Sequence, residues 1–371
     1  DPIATHPLHT CERAPSRRRR VGPLSVLGDD RSGLRLSRKH WDDAASAREA
    51  GSHRGWLDSA LVLEEIFQPR VADERSKNWL IALCERIELP RNLRWLSLGC
   101  GTAGHELLAA RLGLFATMEA VDLSPVSLSI ARTAAAEARL ESIEFAEGDL
   151  NRIEIPEASC DVVMMNMSLH HVENLERLLA QIDRALRPGG WLLLNEFVGP
   201  RQFQFPDVQL GIVERLLAAL PERLRLDSTS GETKREYVRR PPSWWNQADP
   251  SEAIRSDQIL LEVHRRFEVV DRRDYGGAVL HLLLEHIVQN FDPRREDDVC
   301  WMRVLGAVEA LLQESGILAS DFVVLAARKR PTVSQERPAT GLSRLMALLS
   351  RTGRTRPATV EPSTVDSRSL R

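Results

Sequence analysis

No Cys-x-x-Cys pair occurs in the 371 residues, and the five cysteines, at positions 11, 84, 100, 160 and 300, stand far apart. That spacing argues against a disulfide framework and against a cysteine-ligated metal, and it points to a reducing, cytoplasmic setting. No run approaches the roughly 18 apolar residues that a membrane span needs. Arg17 to Arg20 precede only Val21-Gly-Pro-Leu-Ser-Val-Leu-Gly28, which is too short and broken for the apolar stretch of an export signal. No internal repeat is visible. The body also lacks clustered positive charge. Residues 1–40 carry nine Lys or Arg against four Asp or Glu, and residues 330–371 eight against three, so each end is roughly +5. The middle is then roughly −13 within a total of −3. An acidic body neutralises phosphates poorly, so nucleic acid is not expected as a partner.

What is present is enough apolar residue, 43%, for a sizeable core in one or two domains. Residues 1–40 are expected to be a leader or disordered segment, and residues 330–371, rich in Pro, Ser, Thr and Arg, a disordered tail. From Trp41 to about residue 90 the pattern is helical, with apolar residues at i, i+3 and i+4 in 56–67 and 78–87. Pro90 stops that segment. Short apolar runs then alternate with helical ones. Strands are expected at 93–98, 118–122, 142–147, 161–165 and 191–197, with helices from about 105, at 126–139 and at 175–186. This alternation means a doubly wound parallel sheet. After Phe197 the rhythm breaks. Helices are expected at 209–220, 251–265 (opened by a Ser251 cap), 279–290 and 303–315, strands at 267–271 and 321–327, and a loop-rich stretch at 221–250. Insertions at about 200–250 and 279–316 are expected to cap the sheet edge.

The first strand runs into Gly99-Cys-Gly-Thr-Ala-Gly104, a G-x-G-x-x-G turn that opens a helix. Gly99 permits a tight turn, Gly101 lets backbone approach a ligand, and Gly104 lets helix and strand pack closely. Two cofactors use such a turn, a nicotinamide or flavin dinucleotide and S-adenosylmethionine. Asp122 closes strand two where a carboxylate can accept from ribose hydroxyls, and it can equally cap the helix that starts at Ser124-Pro125. Asp149, in Glu147-Gly-Asp-Leu150, follows strand three where an acid can accept from an adenine amino group; a plain Gly-Asp turn is the other reading. The two acids together favour S-adenosylmethionine.

Leu98-Gly-Cys-Gly-Thr-Ala-Gly104, Val121-Asp-Leu-Ser-Pro125, Glu147-Gly-Asp-Leu150, Asp161-Val-Val163 and Leu186-Arg-Pro-Gly-Gly-Trp-Leu192 resemble, in order, the motifs of class I S-adenosylmethionine-dependent methyltransferases. The resemblance covers roughly residues 90–200. It implies a Rossmann-like sheet of seven strands, mostly parallel with the last antiparallel, in a domain spanning 91–329. It also implies S-adenosylmethionine held by Gly99, Cys100, Gly101, Gly104, Asp122, Leu123, Asp149, Leu150 and Asn166.

The acceptor has to be read from other residues. Asn166-Met-Ser-Leu-His-His171 leaves strand four at the carboxyl edge of the sheet, where binding crevices form. A hydroxyl acceptor needs its proton taken, and His170 or His171 is the candidate base; either could instead only shape the pocket. Glu196, Arg201 and Gln202 leave strand five at the same edge, and Tyr275 follows strand six. These four are expected to orient the acceptor, a small molecule with a sugar-like or polar hydroxyl. Trp244-Trp245 is either a wall against a ring or buried packing. No Asn-Pro-Pro-Tyr-like motif follows strand four and no Pro-Cys pair occurs, which again disfavours nucleic acid. His281 and His286, five apart, are wrongly spaced for one-face ligation, and no metal is expected. Two further readings stay open: a nicotinamide-dependent oxidoreductase, and a non-catalytic module that keeps the fold.

Overall fold

The computed structural model describes residues 31–49 and 55–331. The chain divides into residues 1–330 and 331–371. Most of the expected leader and nearly all of the expected tail therefore lie outside the described residues.

Seven strands, β1 (Arg94–Leu98), β2 (Thr117–Asp122), β3 (Ile143–Glu147), β4 (Cys160–Asn166), β5 (Leu186–Phe197), β6 (Phe267–Gly276) and β7 (Phe322–Lys329), form one sheet in the order β3-β2-β1-β4-β5-β7-β6. Every pairing up to β5 is parallel, and β7 runs antiparallel to both β5 and β6. The expected sheet, with its antiparallel last strand, is the one observed. Consecutive residues along a strand feed opposite layers. Trp95, Val162 and Met164 join one core cluster, while Leu96, Val163 and Met165 join the other. Both faces are covered, which is why these strands read as unbroken apolar runs.

Twelve α-helices occur among the described residues: α1 (Arg31–Glu49), α2 (Ala60–Val62), α3 (Gln68–Ala72), α4 (Trp79–Arg86), α5 (Gly104–Arg111), α6 (Pro125–Glu137), α7 (Leu175–Ala185), α8 (Asp207–Ala219), α9 (Pro242–Ala248), α10 (Ile259–Arg266), α11 (Leu280–Leu284) and α12 (Glu296–Glu314). α7 and α10 cover one face through Leu175, Leu178, Ile182, Ile259 and Val263. α4, α5, α6, α8 and α12 lie on the other. α6 starts as its sequence says it should: the Ser124 hydroxyl accepts from Ser127 N, and Pro125 opens the first turn.

The segment at 55–86 is fastened to the far end of the sheet. The Arg86 guanidinium meets both oxygens of Asp271 on β6, at 3.0 and 2.7 Å. Arg70 donates to the carbonyls of Tyr275 and Gly306 and to Glu309 on α12. Glu309 in turn accepts from Val279 N and Leu280 N, satisfying the free donors at the start of α11.

Several expected boundaries move. α1 begins at Arg31, inside the expected leader. β5 begins at Leu186, and its register with β4 jumps from Cys160–Leu186 to Val162–Trp191, so Pro188-Gly-Gly190 is absorbed as a bulge. The expected helix at 279–290 is broken, because Glu285 leaves the helical region (ψ 126°) and His286 takes φ +59°. The one at 251–265 starts only at Ile259. Ser251 is no cap; its N–H and hydroxyl both donate to Asp249 Oδ1, folding 249–255 into turns.

Candidate active site

The glycine turn and the Ser168 turn are built against each other. Gly99 has φ +75°, and a Cβ there would stand 2.4 Å from Ser168 Cβ, so only glycine fits. The Ser168 hydroxyl donates to the Leu98 carbonyl at 2.8 Å. Gly99 N and Cys100 N both donate to the Val121 carbonyl. Asp122 spreads its carboxylate over Gly101 N (2.7 Å) and Ser124 N (2.9 Å). Burial pushes the Asp122 pKa up while these N–H donors pull it back. At Gly101 (φ +53°) a Cβ would meet nothing within 4 Å, so the bare backbone faces open space. That is the cradle S-adenosylmethionine requires, and the residues present fit it.

Asp149 accepts from Asn151 N and lies 3.5 Å from Arg152 Nε, at the end of β3. Leu150 Cδ1 comes within 3.6 Å of where a Gly99 side chain would begin. Asn166 accepts from the Asn195 amide at 2.9 Å. The structure therefore brings the expected cofactor residues of β1, β2, β3 and β4 to one sheet edge. Behind the turn lies Glu106 on α5, buried and held by the Ser97 hydroxyl at 2.6 Å; burial pushes it up to about 7.

The histidines stand next to this edge, on a 3-10 turn, Leu169–His171. His170 Nδ1 is paired with Glu196 Oε1, and Glu196 also accepts from Ser168 N, Leu169 N and Phe197 N. Glu196 has no exposed surface. The expectation that it orients the acceptor is thus corrected: its oxygens are committed to holding the histidine turn. Tyr275 is corrected likewise, being fully buried with its hydroxyl donating to Asn195 Oδ1. Gln202 is buried and donates to Asn246 on α9, whereas Arg201 is exposed.

Three neighbours complete the cluster, and none was anticipated as part of the site: Asp249, Ser251 and Glu252, in the stretch expected to be loop and helix cap. His170 Nε2 stands 3.6 Å from Glu252 Oε1, and His171 Nε2 stands 4.0 Å from Glu252 Oε2. His171 Nδ1 is 3.2 Å from the Ser251 hydroxyl. His171 Nε2 and Asp249 Oδ2 are buried without a hydrogen-bond partner among the described residues. Burial pushes Glu252 up to about 7, against the pull of His170. Burial lowers His170, but the charge and hydrogen bond of Glu196, with the charges of Glu252 and Asp249, together outweigh it, and its pKa rises. His171 falls well below the usual imidazole range through burial and the neighbouring His170.

An aromatic wall flanks this cluster. Phe197 stands edge-on to His170 (centroids 6.1 Å) and 5.1 Å from Phe203; Phe203 meets Trp245 at 4.9 Å and His281 at 5.9 Å. His281 is held down to about 4 by burial. The opposite side is closed by α1. Trp41 meets the His171 ring edge-on at 4.7 Å, Asp42 accepts from the Ser124 hydroxyl, Arg38 pairs with Glu147, and Ser37 donates to Asp249 Oδ1 at 2.9 Å. α1 thus crosses the cofactor edge from β3 to the Asp249 turn. The sequence carried helical periodicity from Trp41 on, but no signal that this helix reaches the site.

Comparison with known proteins follows the same lines. Residues 96–194 match the model of a methyltransferase domain. A demethylmenaquinone methyltransferase of Tropheryma whipplei is 30% identical over 172 residues, 46% of this chain and 68% of that protein. A 27-O-demethylrifamycin SV methyltransferase of Amycolatopsis mediterranei is 27% identical over 230 residues, 58% of this chain and 80% of that one. Among solved structures, an S-adenosylmethionine-dependent methyltransferase from Mesorhizobium loti is 17% identical with a TM-score of 0.38, over 68% of this chain and 97% of that one.

Proposed function

The chain belongs to the class I S-adenosylmethionine-dependent methyltransferases, and on that premise we propose that it methylates a hydroxyl oxygen of a small-molecule acceptor whose hydroxyl sits on an apolar ring or chain. The observation that carries this reading is the convergence of His170, His171, Asp249 and Glu252 beside the cofactor turn. Bound S-adenosylmethionine supplies an electrophilic methyl, whose bond to sulfur breaks as the bond to the acceptor oxygen forms, leaving the neutral thioether. The protein's share is positioning and exclusion of water. α1 covers the cofactor side and the aromatic wall covers the acceptor side. The hydroxyl proton leaves toward Asp249 Oδ2, a buried acceptor atom without a hydrogen-bond partner among the described residues.

A sugar-like acceptor drew its support from Glu196, Arg201 and Gln202. Glu196 is committed to His170 and Gln202 to Asn246, so that support falls away. The half-buried aromatic side chains Phe203 and Trp245 favour an apolar body next to the hydroxyl instead. The name of one relative, the 27-O-demethylrifamycin SV methyltransferase, agrees with such an acceptor. A cytoplasmic setting accords with four free cysteines among the described residues.

Calorimetric titration with S-adenosylhomocysteine and with NADH tests the cofactor. We expect binding of the first and none of the second. Asp122→Ala should weaken S-adenosylhomocysteine by roughly 10- to 100-fold, the equivalent of one or two hydrogen bonds to a charged group. Labelled-methyl donor with a panel of hydroxylated aromatic and lipid acceptors tests the chemistry; label on sugars alone would reject the apolar acceptor.

A further inference from the structure

The spacing inside the histidine cluster is too wide for hydrogen bonds and too narrow for a side chain. His170 Nε2 to Glu252 is 3.6 Å and His171 Nε2 to Glu252 is 4.0 Å, and the ligand atoms of all three residues lie within 4.8 Å of one another. Ligands on a tetrahedral ion at about 2.1 Å stand about 3.4 Å apart, so the gap nearly matches an ion's coordination shell. Both imidazoles are fixed with their Nε2 atoms turned inward. His170 is held through Nδ1 by Glu196, and His171 has Nδ1 beside Ser251 Oγ. A carboxylate or hydroxyl on the far ring nitrogen is what orients metal-binding histidines. Independently, Asp249 is 1% exposed, and its Oδ2 has no hydrogen-bond partner although Oδ1 accepts from Ser37 and Ser251. That free oxygen lies 3.8 Å from His171 Nδ1. Together with His40 and Glu252, Asp249 also forms a second group of converging donors.

We propose that His170, His171 and Glu252 hold one divalent first-row transition ion, with an open position facing the acceptor. Two imidazoles and one carboxylate suit zinc, cobalt, iron or manganese better than magnesium or calcium, which prefer oxygen alone. The proposal rests on the hydroxyl-acceptor reading of this site and says how the hydroxyl is activated. The ion binds the acceptor oxygen, the O–H bond breaks, and its proton passes to Asp249 Oδ2. The oxygen then takes the methyl group from the donor sulfur. The expectation that no metal is present came from spacing along the chain, and the ligands here come from segments 80 residues apart that chain spacing cannot connect.

Co2+ serves as the probe, added to the full chain after stripping with a chelator. We expect about one Co2+ per chain, with the intense visible absorption of a low-coordinate site. His171→Ala and Glu252→Gln should abolish that absorption. Glu196→Gln, which keeps one acceptor oxygen for the backbone N–H groups of the histidine turn and loosens the orientation of His170, should weaken Co2+ binding 10- to 100-fold while thermal melting shows the fold retained. Absence of Co2+ binding by the unmodified chain, or binding unchanged in both His171→Ala and Glu252→Gln, would overturn the site. S-adenosylhomocysteine titrated in the same samples separates the two ideas. A chain that binds S-adenosylhomocysteine but takes up no Co2+ rejects the ion and leaves the methyltransferase reading, whereas one that binds no S-adenosylhomocysteine rejects the latter.

Discussion

At the scale of single residues, the two glycines of the turn are constrained by opposite surroundings. A Cβ at Gly99 would meet Ser168, and one at Gly101 would meet nothing. Gly99→Ala should therefore destabilise the fold by about 2–4 kcal/mol, from left-handed strain plus overpacking. Gly101→Ala should cost about 1 kcal/mol in stability but weaken S-adenosylhomocysteine roughly tenfold, because its methyl would project into the open space where we propose the cofactor binds. Chemical denaturation and calorimetry on the pair check both outcomes; equal effects on stability would contradict the geometry. Asp321 makes a pH prediction. Burial pushes its pKa up to about 7, against the hydrogen bond from Gln209. The folded state thus favours the protonated carboxyl. Its contribution is complete below the usual carboxyl pKa near 4 and is lost as pH climbs toward 7. Asp321→Asn should flatten that decline, and melting temperatures between pH 4 and 8 measure it.

At the scale of elements, what was legible followed local rules. The glycine turn, the Ser124-Pro125 helix start and the alternating strands each carry their signal within a dozen residues, and all appear in the expected order, with the start of β5 moved to Leu186. What was illegible depends on contacts between distant segments. Asp249-Pro-Ser-Glu252 reads as a turn and a helix cap, and nothing in it announces that it closes on His170 and His171 about 80 residues earlier. Glu196, at the end of a strand, reads as a pocket residue until its three backbone donors are seen. α1 is the clearest case, since its contacts with Ser124, Glu147, His171 and Asp249 are all long-range. A chain beginning at residue 50 should fold, with a small drop in melting temperature, yet release S-adenosylhomocysteine faster. Stopped-flow dissociation measures this, and an unchanged off-rate would mean that α1 is no cover.

At the scale of the whole molecule, the segment at 55–86 behaves as part of the sheet's foundation. Arg86 grips β6, Arg70 bridges β6 to α12, and Trp56 packs against Tyr275 and Phe322. A chain beginning at residue 91 should therefore lose cooperative unfolding altogether, in contrast to one beginning at residue 50. Glu309→Ala leaves Arg70 and two helix donors without their partner and should cost about 3–5 kcal/mol. The Ser37–Asp249 hydrogen bond has a kinetic corollary. On the proposed reading it ties the helix over the donor to the turn beside the acceptor, so departure of one product would slacken the door for the other. Turnover would then be paced by a single joint opening, and spent donor added in excess would slow escape of the methylated product as well as compete with fresh donor.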